Sequence, residues 1–333
     1  MTRPRAVPPV TQAFLDRVRQ DNLGHRLLAL ATDFEARVLK HYATMAYGDI
    51  RPVHGAVLRN LELQGTRLTT LAQRAGITHR AMAKIVNDIN SLGYIEYRSD
   101  PEDGRATVIV FTDQGLQLLN DSSPVIEHIC DDYAKEVGGD NLQSLDHCLR
   151  AAIDKLGIEV TNTGQQALHP QCPSRQTTHS GTYLSNNLGR YLTVLAKDYD
   201  HRCTQIMLER GHKGIRFDHL AVLSHLDVMG MKHSTLAQRA GISLQAIGKQ
   251  VRAVEQLGYV VSEVDSDDKR ARRIHFSAKG FQFIADLLDT FEQIKADYTA
   301  VVGRQNIRSL QRCLEIFVDQ LQLPVPVKHG PEN

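Results

Sequence analysis

The segment Leu71-Ala72-Gln73-Arg74-Ala75-Gly76-Ile77 recurs letter for letter as Leu236-Ala237-Gln238-Arg239-Ala240-Gly241-Ile242, an offset of 236 − 71 = 165 residues. The same offset carries Leu92-Gly93-Tyr94 onto Leu257-Gly258-Tyr259, Asp100 onto Asp265, Asp103 onto Asp268 and Arg105-Ala106 onto Arg270-Ala271. Further along, Asp132-Tyr133 returns as Asp297-Tyr298, and Cys148-Leu149 as Cys313-Leu314. From Leu23 to Ile158 the register needs no gap, and roughly a third or more of positions are identical. The chain is therefore expected to hold one domain twice, each copy long enough to bury its own core. The expected organisation is a first domain over 11–158, a linker over 159–181 and a second domain over 182–323. The linker TNTGQQALHPQCPSRQTTHS is polar and lacks periodicity, as a tether would.

Composition narrows the class. The apolar fraction of 42% and charged fraction of 23% are those of a globular protein, and no run approaches the roughly 18 apolar residues of a membrane span. The N-terminus lacks the apolar stretch of a signal peptide, so a cytoplasmic location is expected. Five scattered cysteines without a C-x-x-C pair form neither a zinc site nor a disulfide framework. Cys148 and Cys313 match between copies within an apolar helix and read as core; Cys130 and Cys203 lack counterparts, which leaves redox sensing as their functional alternative. A net charge of +1 means that any nucleic-acid partner must be recognised by local charge.

Apolar spacing near 3.6 predicts a first helical stretch from Thr11 to Ala46, then a second helix after Pro52 with Val53, Val57, Leu58 and Leu61 on one face. A short helix over Thr70–Ala75 is expected to end at Gly76, with Thr78 as N-cap of the next; Ser243 takes that role in the second copy. That next helix turns Met82, Ile85, Val86 and Ile89 inward and His79, Arg80, Lys84, Asn87 and Asp88 outward. Two strands, Tyr94–Arg98 and Thr107–Phe111, flank a polar turn, and two helices over 113–137 and 142–156 close the copy. A short helix, a glycine turn, an amphipathic helix with a polar outer face and a hairpin is the winged helix-turn-helix order. In that arrangement the second helix needs exposed hydrogen-bonding side chains for base edges, and the hairpin tip needs a cation for the minor groove.

With LAQRAGIT, LGYIEY, DPEDGRA and FTDQG in the first copy and LAQRAGIS, LGYVVS, DSDDKRA and FSAKG in the second, the chain resembles the MarR (multiple antibiotic resistance regulator) family. The resemblance covers nearly all of it except the first ten residues, the linker and the C-terminal tail. It implies a mostly α, α+β protein: two tandem winged helix-turn-helix domains paired as an intramolecular pseudo-dimer through the N- and C-terminal helices of each copy. It implies a repressor of transcription on double-stranded, pseudo-palindromic DNA, relieved by a small, often aromatic, ligand. The wing aspartate orienting the minor-groove arginine carries over onto Asp103 with Arg105 and onto Asp268 with Arg270.

The fusion departs from the family's one-copy pattern and lets the two reading heads differ. The first presents Thr78, His79, Arg80, Lys84 and Asn87; the second presents Ser243, Leu244, Gln245, Lys249 and Arg252, with Lys269, Arg272 and Arg273 added on its wing. Between Thr78 and Val108 there are four Lys/Arg against five Asp/Glu; between Ser243 and Arg273, six against five. An asymmetric operator is the expected consequence. The acidic balance of the first head favours a competing reading, a protein-interaction module that has lost DNA binding in one or both copies. These outward faces could also be merely solvated, and the wing arginines ordinary surface charges. An enzyme is disfavoured, since no Ser/His/Asp, phosphate-loop or metal pattern emerges. His54 and His219, at matched positions beside apolar residues, are structural histidines or line an effector pocket with Tyr42 and Tyr199. No ligand spacing marks the histidines as a metal site, and no cofactor is expected.

Overall fold

The computed structural model describes residues 11–13, 15–16, 22–100, 103–160, 188–216, 219–265 and 271–324. The expectations for the linker, and those for Asp268, Lys269 and Arg270, lie outside them. The first repeat builds α1 (Leu23–Thr44), α2 (Gly55–Leu58), β1 (Thr66–Arg67), α3 (Leu68–Ala75), α4 (His79–Ser91), β2 (Ile95–Ser99), β3 (Thr107–Phe111), α5 (Asp113–Val137) and α6 (Gly139–Leu156). The second builds α7 (Leu188–Glu209), α8 (Leu220–Leu223), β4 (Met231–Lys232), α9 (His233–Ala240), α10 (Leu244–Gln256), β5 (Val260–Val264), β6 (Arg272–Phe276), α11 (Ala278–Val302) and α12 (Arg304–Gln320). Among the described residues the fold is mostly helical with two small antiparallel sheets, ordered β1-β3-β2 and β4-β6-β5. Among the described residues no helix is long and apolar enough to cross a membrane.

The local chemistry repeats with the sequence. Helix α3 ends on Gly76 (φ 68) and α9 on Gly241 (φ 65), a left-handed conformation that costs glycine nothing. Thr78 and Ser243 then cap the next helices, each hydroxyl accepting from a backbone N–H three residues on, of Ala81 and Ala246, at 3.2 Å. Within LAQRAG, Leu71 and Leu236 are fully buried. Arg74 reaches back to Glu62 at 2.7 Å and Arg239 to Asp227 at 2.6 Å, so the repeated arginine is a strut under the helix-turn-helix.

Three expectations are adjusted. The helical stretch expected from Thr11 is interrupted: residues 12–13 and 15–16 are helical, with Leu15 N–H donating to the Thr11 carbonyl at 3.0 Å, and α1 begins anew at Leu23, where the Asn22 carboxamide oxygen accepts the Gly24 N–H at 2.8 Å as an N-terminal cap. The helix expected after Pro52 is one turn of 3₁₀ over Pro52–His54 followed by the single turn of α2. Strands β1 and β4 have no sequence signal, because two residues are too short to show an alternation.

The chain divides into two compact units: Leu30–Leu195, and Met1–Ala29 together with Ala196–Asn333. The division falls inside α1 and inside α7, so each unit carries the body of one repeat and the leading stretch of the other. In the first unit, Val57, Leu61, Leu71, Met82, Val86, Ile89 and Tyr94 form the base of the core. In the second, Val222, Leu226, Leu236, Ile247, Val251, Val254 and Tyr259 do so, joined by Leu15. Gln12 fastens that leading stretch, donating to Asp227 at 3.1 Å and accepting the Val228 N–H at 3.0 Å.

The same seam joins α1 to α5 and α7 to α11. Tyr133 donates to Asp33 at 2.7 Å while Arg37 binds Asp33 and Glu136 and lies 4.5 Å from the Tyr133 ring centre. In the other unit Tyr298 donates to Asp198 at 2.7 Å and Arg202 covers its ring. Burial, the nearby Asp33 and the hydrogen bond to it push the Tyr133 hydroxyl well above the ordinary phenol range, so it remains a donor.

Matched glycines also make matched contacts. A Cβ on Gly24 would lie 2.3 Å from the Tyr199 ring, and one on Gly189 would lie 2.3 Å from the Phe34 ring, positions 24 and 189 being 165 apart like 34 and 199. Gly24→Val is therefore expected to cost about 1–3 kcal/mol by overpacking. Tyr199→Ala should recover part of that cost, since the effects of touching residues do not add. Denaturant titration of the two single variants and the double variant checks it; strict additivity would show that the ring is not what the glycine accommodates.

Candidate nucleic-acid interface

On α4 the polar outer face is set by where the core lies. Met82, Val86 and Ile89 point into the unit, which leaves Thr78, His79, Arg80, Lys84 and Asn87 exposed. On α10, Ile247, Val251 and Val254 are buried, and Ser243, Gln245, Lys249 and Arg252 are exposed, with Leu244 at 57% exposure beside them. The remaining acidic group of the α4 face behaves differently: Asp88 is drawn to His54 and Arg51. The His54 hydrogen bond, with Arg51 beside it, holds the Asp88 carboxyl below its usual range.

Asn87 is oriented from the wing. The Tyr97 hydroxyl on β2 donates to Asn87 Oδ1 at 2.8 Å, which turns the Nδ2 donors outward. Its counterpart Arg252 also presents donors, on a longer arm.

The wings share a main-chain frame. Asp100 N–H donates to Ala106 carbonyl at 3.0 Å, and Asp265 N–H to Ala271 carbonyl at 3.0 Å. At the base of each, a buried carboxylate is neutralised from the neighbouring strands. Arg67 on β1 binds Asp100 at 2.6 Å; Arg273 on β6 binds Asp265 at 3.0 Å with Lys232 on β4 at 3.6 Å. Position 67 corresponds to 232 and 108 to 273, so Lys232 with Arg273 does in one unit what Arg67 does in the other. Arg273 also donates to the Gly230 carbonyl at 3.3 Å. Its guanidinium thus serves the wing base, whereas Arg272 is exposed and donates to the Ser262 carbonyl at 2.8 Å.

Asp103 accepts the backbone N–H of Arg105 at 3.1 Å. It therefore fixes the turn from which Arg105 projects, instead of gripping the guanidinium. Among the described residues the exposed Arg105 side chain makes no ion pair.

Sequence reasoning missed His233, at the start of α9. Burial first, then the charges of Arg272 and Arg252 against that of Glu255, hold its pKa below the ordinary imidazole range. Its position corresponds to Leu68 in the first repeat, so no internal match flagged it.

Each of the four pocket candidates has packing or hydrogen-bond partners within its own unit. His54 is fully buried, its Nδ1 accepting from Arg51 N–H at 3.2 Å and its Nε2 facing Asp88 at 2.8 Å, which joins the 3₁₀ turn to α4. His219 repeats the first bond, from Arg216 N–H at 3.2 Å, but Asp88 is replaced by Ala253. Tyr42 shares a hydrogen bond of 2.6 Å with Ser122 and stacks edge-on against Tyr47, which in turn meets Tyr94. Tyr47 donates to Asp121 and Tyr94 to Asp49; burial first and then those carboxylates push both hydroxyls up to about 12. Tyr199 packs instead against Phe291 and Tyr298. Cys130, Cys148 and Cys313 are buried, and burial pushes Cys130 and Cys203 up to about 12, the reverse of a reactive thiolate.

A family model described as the MarR family matches residues 49–106, the stretch from the approach to α2 through the wing turn. No curated protein matches the chain. Among solved structures, YusO from Bacillus subtilis is 18% identical over 43% of this chain and 99% of its own, with a TM-score of 0.35. MepR from S. aureus, in a complex with DNA, is 16% identical over 34% of this chain and 96% of its own, with a TM-score of 0.26. The heme sensor PefR from Streptococcus agalactiae, in complex with heme, is 14% identical over 40% of this chain and 94% of its own, with a TM-score of 0.32.

Proposed function

We propose that the chain is a sequence-specific DNA-binding transcription regulator carrying two winged-helix heads on one polypeptide. The observation that carries this reading is the state of the acidic groups around α4. Asp88 is taken up by His54 and Arg51, Glu96 by Arg98 and Asp100 by Arg67. The excess of carboxylates counted along the sequence is thereby absorbed. His79, Arg80, Lys84 and Arg105 are left outward beside the Asn87 amide, a pattern suited to phosphates and base edges. The MarR-family match over 49–106 falls on this same head.

The two heads belong to one intramolecular pseudo-dimer. The paired Gly24–Tyr199 and Gly189–Phe34 contacts, one in each unit, support it: a two-fold interface makes each contact twice between matched positions. Blocking of a promoter, relieved when a small ligand binds, is the mode of regulation that follows from the family resemblance.

Fluorescence anisotropy on DNA from upstream of the chain's own gene tests the reading. Arg105→Ala is expected to weaken binding about tenfold and to reduce the slope of log affinity against log salt by about one. A parent chain showing no salt-dependent binding to duplex DNA would defeat it in favour of an interaction module.

A further inference from the structure

We propose that His41, His128 and Asp132 form a binding site for a divalent transition metal, with Zn(II) the best-suited ion, present in the first repeat alone. The three residues lie on the α1–α5 seam, beyond the Asp33–Arg37–Tyr133 group. His128 and Asp132 stand four residues apart on α5 and so share one face, with Nε2 and Oδ2 3.6 Å apart. His41, in the last turn of α1, faces them, its ring centre 5.1 Å from that of His128 and nearly perpendicular to it. One ligand atom from each residue lies within 4.8 Å of the other two. Tetrahedral ligands about 2.0–2.1 Å from zinc sit roughly 3.3 Å apart, so closure needs side-chain movement of up to about 1.5 Å. His128, whose side chain is 56% exposed, is free to make it.

Two imidazoles and a carboxylate are a borderline donor set that suits zinc, and three protein ligands leave a fourth position for water. The other carboxylate oxygen of Asp132 is held by Lys135 at 3.2 Å, an outer partner of the kind that orients a ligating carboxylate. The positive charge of Lys135, and of Arg37 nearby, opposes the ion, so the site should be weaker than a closed four-ligand one.

The second repeat supplies the control. Positions 41, 128 and 132 correspond there to Ile206, Gln293 and Asp297. The fold at this seam is satisfied by isoleucine and glutamine, so packing does not call for the two histidines. The ion would tie the end of α1 to α5 in one unit only.

Titration of the full-length chain with Co(II), followed by visible absorption, tests the site without reference to DNA. The expected result is about one ion per chain with the intense bands of low-coordinate cobalt, displaced by Zn(II) and abolished in both His41→Ala and His128→Ala. Since the His128 side chain is largely in solvent, its variant should keep the parent's far-UV spectrum and melting temperature. Absence of such bands in the parent would overturn the site. So would bands of the same strength in His128→Ala, because the ion would then be held by others of the fifteen histidines.

Discussion

Gly115→Ala is expected to lower the stability of its unit by about 2–4 kcal/mol, although alanine is the better helix former. A Cβ at this position would lie 2.0 Å from the Tyr94 carbonyl oxygen and 3.0 Å from the Phe111 ring. That carbonyl cannot step aside, because it accepts the Thr112 N–H at 3.1 Å. Thr112 is itself doubly engaged, its hydroxyl donating to the Gly93 carbonyl at 2.5 Å and accepting the Gly115 N–H at 3.2 Å. The end of α4, the start of β2, the end of β3 and the start of α5 are thus joined at one point, and the glycine is what lets them approach. Ser277 and Gly280 build the same joint, with Gly280 2.0 Å from the Tyr259 carbonyl by the same construction. Gly139→Ala is the matched control. It lies in the first turn of α6 with nothing near its missing Cβ, so the change should be neutral or stabilising by up to about 1 kcal/mol. Urea unfolding should lower the Gly115→Ala midpoint and leave the Gly139→Ala midpoint at or above the parent's; equal midpoints would mean that the joint yields.

This joint also shows how far the sequence could be read. FTDQG and FSAKG are visible as matched motifs, and so are LAQRAG and the Asp-Tyr pairs. Their roles, a close approach, a strut and a helix seam, depend on partners distant in sequence such as Tyr94, Glu62 and Asp33. The outward set on α4 and α10 is readable because a 3.6 period fixes which side is buried once the apolar residues are known. The charge balance of the head is not, since it turns on which carboxylates find cations: Arg51 and Arg67 lie well before the head in sequence and settle Asp88 and Asp100. Arg273 shows the same limit, counted along the chain as a wing cation and held in the fold by Asp265. The His41–His128–Asp132 group is invisible for a simpler reason. Its histidines are 87 residues apart on two helices, 128 − 41, and no short spacing announces them.

The largest functional effect is expected from making the two heads alike. Lys84 and Lys249 are identical across the repeat, as are the roles of Thr78 and Ser243, so those positions fit contacts to the uniform phosphate backbone. What differs are three exposed positions of the reading face: His79 against Leu244, Arg80 against Gln245, and Asn87 against Arg252. In a major groove Leu244 can only meet apolar groups, chiefly the thymine methyl, where His79 can hydrogen-bond. Gln245 pairs best with adenine, and Arg80 with guanine. Site selection from random duplexes should therefore return operators with two unequal half-sites. In the triple variant Leu244→His, Gln245→Arg, Arg252→Asn, the selected sites should become palindromic. Its affinity for the parent operator should fall roughly tenfold to a hundredfold for each base pair that the new side chain mismatches, at about 1–3 kcal/mol apiece. If the parent already selects a perfect palindrome, the three differences do not reach base edges. Binding by the variant that is weaker on every sequence, with no change of preference, would mean that they contact phosphate only.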